Sequence, residues 1–296
     1  MILVTGATGL TGQFVTAELL RRGRAVRALC RPETAGGVSA GGAEVVLGDL
    51  RDPDSLVRAA RGTSGIVHAA CTFTDSAVDI AAMRALLAGR HGGPFVFVSS
   101  LDVYGLGGSG PITEDTPLGE AMNDYSHGKV MCERLLADAA GRDGRSDHVM
   151  LRAPYIWGPH PTARKRLVTR RLEDHRPIVL PGVDEAEWRQ YRDAWIDVRE
   201  LATIVAECLA RPSGGPLNVA TGHFVWHDLY LELIRLTGSR SEIVHRPLAA
   251  ISDDELPAKH LYAQTWSFSE ARLAQHLGAI PRRAFAVTLR DTVIQP

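Results

Sequence analysis

The stretch Met1-Ile2-Leu3-Val4-Thr5-Gly6-Ala7-Thr8-Gly9-Leu10-Thr11-Gly12 constrains the fold of this chain more than any other. Ile2–Thr5 is a short apolar run rich in β-branched residues, and Gln13–Arg22 continues with the helical spacing of Phe14, Leu19 and Leu20. Glycine weakens helix interiors, so a strand that passes through three glycines into a helix needs a reason. A tight turn is one. A phosphate that approaches the backbone closely is the other, because such a turn exposes N–H groups and the helix N-terminus adds a favourable dipole. The strand–turn–helix context favours the phosphate and makes Gly6, Thr8, Gly9, Leu10, Thr11 and Gly12 the candidate cradle.

The same rhythm continues downstream. Ala25–Cys30, Glu44–Leu47, Gly65–Ala69, Phe95–Ser99 and His148–Leu151 read as strands, with helices predicted at Asp54–Arg61, Ala77–Ala88 and Tyr125–Ala140. Short β-branched runs alternating with helices imply a parallel sheet covered on both faces. Gly105–Pro117 reads as a loop, and Gly141–Asp147 as a polar turn. After Ala153 the alternation stops. Residues 154–195 are rich in proline, arginine and tryptophan, Ile196–Ala210 reads as a helix and Leu217–Val219 as a short strand. The expected organisation is an α/β fold, a Rossmann-type doubly wound parallel sheet with a smaller C-terminal substrate lobe. The dinucleotide domain spans 1–153 and is completed by about 196–222, while 154–195 and 223–296 form the lobe.

A net charge of −1 gives no support to nucleic-acid or membrane-surface binding as the main task. Cys30, Cys71, Cys132 and Cys208 form no CxxC pair and read as reduced thiols, with neither a disulfide framework nor a metal site expected. The first residues lack the basic region and apolar core of a signal peptide, and no apolar run reaches membrane-spanning length. The expected location is cytoplasmic, as a monomer or homodimer.

The end of the second strand bears on the cofactor. An acid about twenty residues after the glycines would bond a ribose 2′-hydroxyl, but here Cys30-Arg31-Pro32 precedes the first acid, Glu33. Arg31 is either a solvated loop residue or a partner for a 2′-phosphate. The missing acid favours NADP(H), with NAD(H) possible.

Tyr125-Ser126-His127-Gly128-Lys129 places tyrosine and lysine on one helical face, one turn apart. A nearby ammonium lowers a phenol's pKa and makes it a usable proton donor or acceptor. With three lysines in the chain, chance is a poor account of the pairing. Phe95–Ser99 runs into Ser100 at a strand end that faces a parallel sheet's ligand crevice. A serine there either caps the strand or hydrogen-bonds a substrate carbonyl.

Together these pieces resemble the extended short-chain dehydrogenase/reductase family, in its NAD-dependent epimerase/dehydratase-like branch. The resemblance rests on TGATGLTG, GDLRD (Gly48–Asp52), VHAA (Val67–Ala70), VSSLDVYG, YSHGK, RAPYIWGP (Arg152–Pro159), AWIDVRELA (Ala194–Ala202) and WSFSEARLAQHLGAIPR. It implies that Tyr125 is the general acid/base, that Lys129 lowers its pKa and bonds the nicotinamide ribose, and that Ser100 orients the carbonyl. It also implies cofactor contacts from Asp49, Leu50, Ala69 and Ala70, and makes Asp102, Tyr155, Trp157 and Arg192 candidate substrate residues.

Three departures bear on the substrate. Family dehydratases carry Asp-Glu where this chain has Leu101-Asp102, a common helix asparagine is Asp79 here, and Arg192 stands one residue out of register from the arginine that meets a sugar diphosphate. The leading expectation is an NADPH-dependent reductase of a small-molecule ketone. A nucleotide-sugar epimerase or 4-keto-sugar reductase is the alternative, and a non-catalytic NADP sensor a third. The basic run Ala163–Arg171 is either a solvated helix face or a phosphate attractor. Trp157, Trp188, Trp195 and Trp226 line either a pocket or a lobe core.

Overall fold

The computed structural model describes residues 1–35, 41–107 and 110–294, so part of the expected Gly105–Pro117 loop lies outside the described residues. Seven strands form one parallel sheet: β1 (Ile2–Thr5), β2 (Val26–Cys30), β3 (Glu44–Leu47), β4 (Ile66–His68), β5 (Phe95–Ser100), β6 (His148–Ala153) and β10 (Gly215–Asn218). Their order is β10-β6-β5-β4-β1-β2-β3. The chain therefore moves outward from β1 to β3, then restarts at β4 on the other side of β1. The crevice for a ligand opens at this reversal, beyond the carboxyl ends of β1 and β4.

Central strands are apolar on both faces because helices cover both. Val4, Val67, Val96 and Leu151 pack with the helices Leu10–Arg21 and Val198–Ala210 on one side. Leu3, Ile66, Phe95 and Phe97 pack with Pro53–Ala60, Ser76–Gly89 and Asp124–Asp143 on the other. The last of these starts with a reciprocal capping box: Asn123 accepts from the Ser126 N–H, and Ser126 Oγ accepts from the Asn123 N–H. That box fixes where Tyr125 and Lys129 enter the crevice.

The region expected to be irregular contains two small sheets. One joins β7 (Tyr155–Trp157), β9 (Arg192–Asp197) and β11 (Gly222–Val225) in the order β11-β9-β7. The other pairs β8 (Ile178–Pro181) with β12 (Ile243–Arg246). The helix expected from Ile196 begins at Val198, and the residues before it are strand. Asp197 marks the change, since its side chain accepts from the Arg199 N–H and caps the helix. Among the described residues no helix is long and apolar enough to cross a membrane.

Candidate active site

A cavity of about 670 Å³ runs along the crevice from the glycine turn to the smaller sheets. At one end the turn closes tightly on itself and on β4. A Cβ on Gly12 would lie 2.0 Å from the Gly6 carbonyl oxygen, and one on Gly6, whose φ is +71°, would lie 2.9 Å from the Ala70 nitrogen. Neither position accepts a side chain. Gly9 differs: a Cβ there would meet only the Gly6 oxygen at 3.4 Å, so its open side faces the cavity. Gly9 is also the N-cap of the helix Leu10–Arg21, and no side chain caps that end. Its first N–H groups are therefore available to an anion. Thr8, Leu10, Thr11, Arg31, Asp49, Leu50, Ala69 and Ala70 line the same cavity. These residues suit a dinucleotide whose pyrophosphate sits on the turn.

Deeper in, Ser100, Tyr125 and Lys129 come together on the cavity floor. Lys129 is buried, its Nζ donates to the Val98 carbonyl at 2.8 Å, and it lies 5.4 Å from the Tyr125 ring centroid and 4.9 Å from that of Phe97. Burial opposes its charge, but Tyr125, Cys71, Cys132 and Asp79 outweigh that and hold its pKa above the ordinary lysine value. The sequence expectation for Tyr125 needs correction. Burial pushes its phenol up, and Cys71 and Asp102 add to the rise; Lys129 and a hydrogen bond from Ser100 pull it down, and burial wins. At neutral pH the phenol therefore carries its proton. Ser100 serves a second neighbour as well, Asp102, whose carboxyl burial lifts to about 6 against the pull of Ser100 and Lys129.

Behind this floor runs a buried polar network. Ser99 Oγ donates to Glu133 at 2.6 Å, Arg152 grips Glu133 at 2.7 Å and donates to the Tyr104 hydroxyl at 2.7 Å, and that hydroxyl donates to Asn218 at 2.7 Å. It ties β5, β6 and β10 to the helix that carries Tyr125. A further buried group, His68, accepts or donates to Thr5 Oγ1 at 2.7 Å. Burial and the nearby Lys129 push its pKa to about 3, so it is neutral.

Not every candidate substrate residue reaches the cavity. Tyr155 and Asp102 line it; Trp157 and Arg192 do not. Trp157 is 2% exposed in the lobe core with Trp195, Phe224 and Trp226, and Trp188 stacks on His227 and His245 instead. The cavity's tryptophan is Trp266. Arg192 fails for a simpler reason. It lies on β9, where successive side chains point to opposite faces, so the exposed Arg192 turns away while Asp193 turns in. A one-residue offset on a strand reverses a side chain completely.

The reading of the sequence passed over Phe73 and did not single out Arg166 within the basic run. Phe73 is 57% exposed at the cavity edge, takes a φ of +67° and stacks on Tyr125 with ring centroids 5.4 Å apart. An aromatic residue in that left-handed region is strained. The strain is held by Asp79, which accepts from the Thr72 N–H at 2.9 Å and from its hydroxyl at 3.1 Å. Arg166, within the basic run, is exposed like Lys165 and Arg170, but it alone of the three lines the cavity, near Tyr125, Cys71 and Tyr155.

The sequence profile described as the NAD dependent epimerase/dehydratase family matches residues 2–220. A sterol-4-alpha-carboxylate 3-dehydrogenase (decarboxylating) of Dictyostelium discoideum is 27% identical over 175 residues, 53% of this chain and 53% of that protein. A UDP-glucose 4-epimerase of Neisseria meningitidis is 31% identical over 185 residues, 54% of each. The chain thus spans about half the length of the curated relatives it matches. The solved dTDP-glucose 4,6-dehydratase DesIV of Streptomyces venezuelae superposes with a TM-score of 0.79 at 23% identity, covering 99% of this chain and 96% of that one, a likeness of fold.

Proposed function

The chain belongs to the NAD dependent epimerase/dehydratase family, and we propose that within it this protein is an NADPH-dependent reductase of a small or specialised ketone. The observation that carries the reading is the meeting of Ser100, Tyr125 and Lys129 on the floor of a cavity that begins at the glycine turn. When bound, NADPH supplies a hydride to a carbonyl carbon. Ser100 and Tyr125 hold the carbonyl oxygen between two hydroxyl groups. As negative charge develops on that oxygen, Tyr125 gives it the phenolic proton. Because burial keeps the phenol protonated at neutral pH, Tyr125 is set for reduction. Lys129, anchored on the Val98 carbonyl, stabilises the phenolate that results. Steady NADPH oxidation with members of a ketone panel tests the proposal. NAD that stays bound through purification, together with interconversion of UDP-sugars, would replace it with the epimerase reading.

Arg31 supports NADPH over NADH, because it lines the adenosine end of the cavity where the strand end offers no acid. Arg31→Ala is expected to weaken NADPH about tenfold or more, the scale of one charge-assisted pair, and to leave NADH nearly unchanged. Titration of nicotinamide fluorescence measures both. Equal losses would show that Arg31 reads no 2′-phosphate.

Asp193 argues against a sugar diphosphate. A carboxyl at that wall position offers a phosphate no cation, and its charged form would repel one. In a thermal-shift assay NADPH should stabilise clearly, while UDP and TDP at the same concentration should stabilise little. Stabilisation by either nucleotide as large as that by NADPH would put the nucleotide-sugar reading first.

A further inference from the structure

Asp193 presents a problem of buried charge. It is 5% exposed on β9, yet no lysine, arginine or histidine among the described residues pairs with it. Its Oδ1 accepts only from the neighbouring Ala194 N–H at 2.7 Å, and its Oδ2 has no partner among the described residues. The charged group close enough to affect it is another carboxylate, Asp102, on the same cavity wall. Arg166 enters beside Tyr125 and Cys71 and is not among the groups that act on either acid. Buried carboxylates in folded proteins are paired or hydrogen-bonded, because an unpaired one costs several kcal/mol. Lys129 acts on Asp102, but no cation acts on Asp193, and that carboxyl calls for a partner from outside the chain.

The wall around them narrows the choice. Tyr155 is near enough to both acids to feel their charge, and Trp266 and Phe268 line the same end of the cavity. Carboxylates set among aromatic faces suit an ammonium group, which gains from both ion pairing and the ring quadrupoles. Ser100, bonded to the backbone N–H of Asp102 at 3.2 Å, places the carbonyl-holding hydroxyl next to this acidic wall. Resting on the ketone-reductase reading, the geometry points to a substrate that carries a protonated amine a short distance from its carbonyl, held by Asp193 and Asp102.

The pair also explains its own state without ligand. Burial lifts both carboxyls, and the charge of Asp102 raises Asp193 further, while Ser100 and Lys129 draw Asp102 back down. An ammonium entering beside Asp193 favours its charged form. A neutral hydroxyl would gain one hydrogen bond and no ion pair.

The test uses the full chain with NADPH bound and two probes that differ by one group, phenylethanolamine and styrene glycol. Their dissociation constants are measured by saturation-transfer NMR. The amine is expected to bind about tenfold tighter than the diol, the worth of one ion-paired hydrogen bond. Asp193→Asn, which keeps an oxygen for the Ala194 N–H, should bring the ratio close to one, while Arg192→Gln on the opposite strand face should leave it unchanged. Equal binding of the two probes, binding of neither at millimolar concentration, or a preference that survives Asp193→Asn overturns the ammonium site. Nicotinamide fluorescence is read on the same samples. Loss of the cofactor signal with the amine preference intact overturns the reductase reading and leaves the ammonium site standing.

Discussion

Tyr125→Phe should lower turnover roughly 10²–10⁴-fold, the usual range for loss of a general acid, and change the NADPH dissociation constant by no more than a few-fold. The substitution removes one oxygen and keeps the rest of the side chain's packing. The ring still stacks on Phe73 at 5.4 Å and still lies beneath the Lys129 ammonium, 5.4 Å away. Lys129 keeps its bond to the Val98 carbonyl, so the cofactor end of the floor is undisturbed. What is lost is the proton donor next to Ser100. Turnover is measured on the ketone that the unsubstituted protein reduces fastest. Near-normal turnover would mean that the proton comes from the substrate or from water.

The pH dependence follows from the same residue. A phenol whose pKa is held above its ordinary value stays protonated through neutrality, so reduction should persist on the acid side and fall only as pH rises through that elevated value. Oxidation of the corresponding alcohol needs the phenolate and should rise over the same interval. Lys129 ionises higher still than an ordinary lysine, which keeps its charge available throughout. Opposite slopes for the two directions, measured with one substrate pair, check the assignment.

The cofactor half of this molecule was legible because its signals are local. A glycine turn between a strand and a helix dictates its own backbone, and a Tyr-x-x-x-Lys pair on one helix meets whatever the tertiary structure does. Ser100 needed one more step, the rule that parallel strands end at the crevice. The substrate half obeyed no such local rule. Arg192 and Asp193 exchange roles with a single change of register, and reading 196 onward as helix hid that parity. The tryptophans were sorted by packing: Trp157, Trp195 and Trp226 fill the lobe core, while Trp266 lines the cavity. The strained φ of Phe73 leaves no trace in composition at all, since it depends on Asp79 holding Thr72 across the loop.

Arg152→Met should be the most damaging single change away from the cavity, because of what it leaves behind. Arg152 is 5% exposed and Glu133 3%, so their charges meet inside the protein. Removing the arginine strands a buried carboxylate, which costs about 3–5 kcal/mol, and withdraws the donor from the Tyr104 hydroxyl. For a chain of this size that corresponds to a fall in Tm on the order of 10 °C. Glu133 would then take a proton or draw in water, and either loosens its hold on Ser99, the residue before Ser100. Adding Glu133→Gln to Arg152→Met removes the stranded charge and keeps an acceptor for Ser99, so the double variant should be more stable than the single one despite carrying one more substitution. Calorimetry of the three proteins decides it. A double variant less stable than Arg152→Met would mean that the carboxylate finds another partner, and that the network's contribution lies in shape more than in charge.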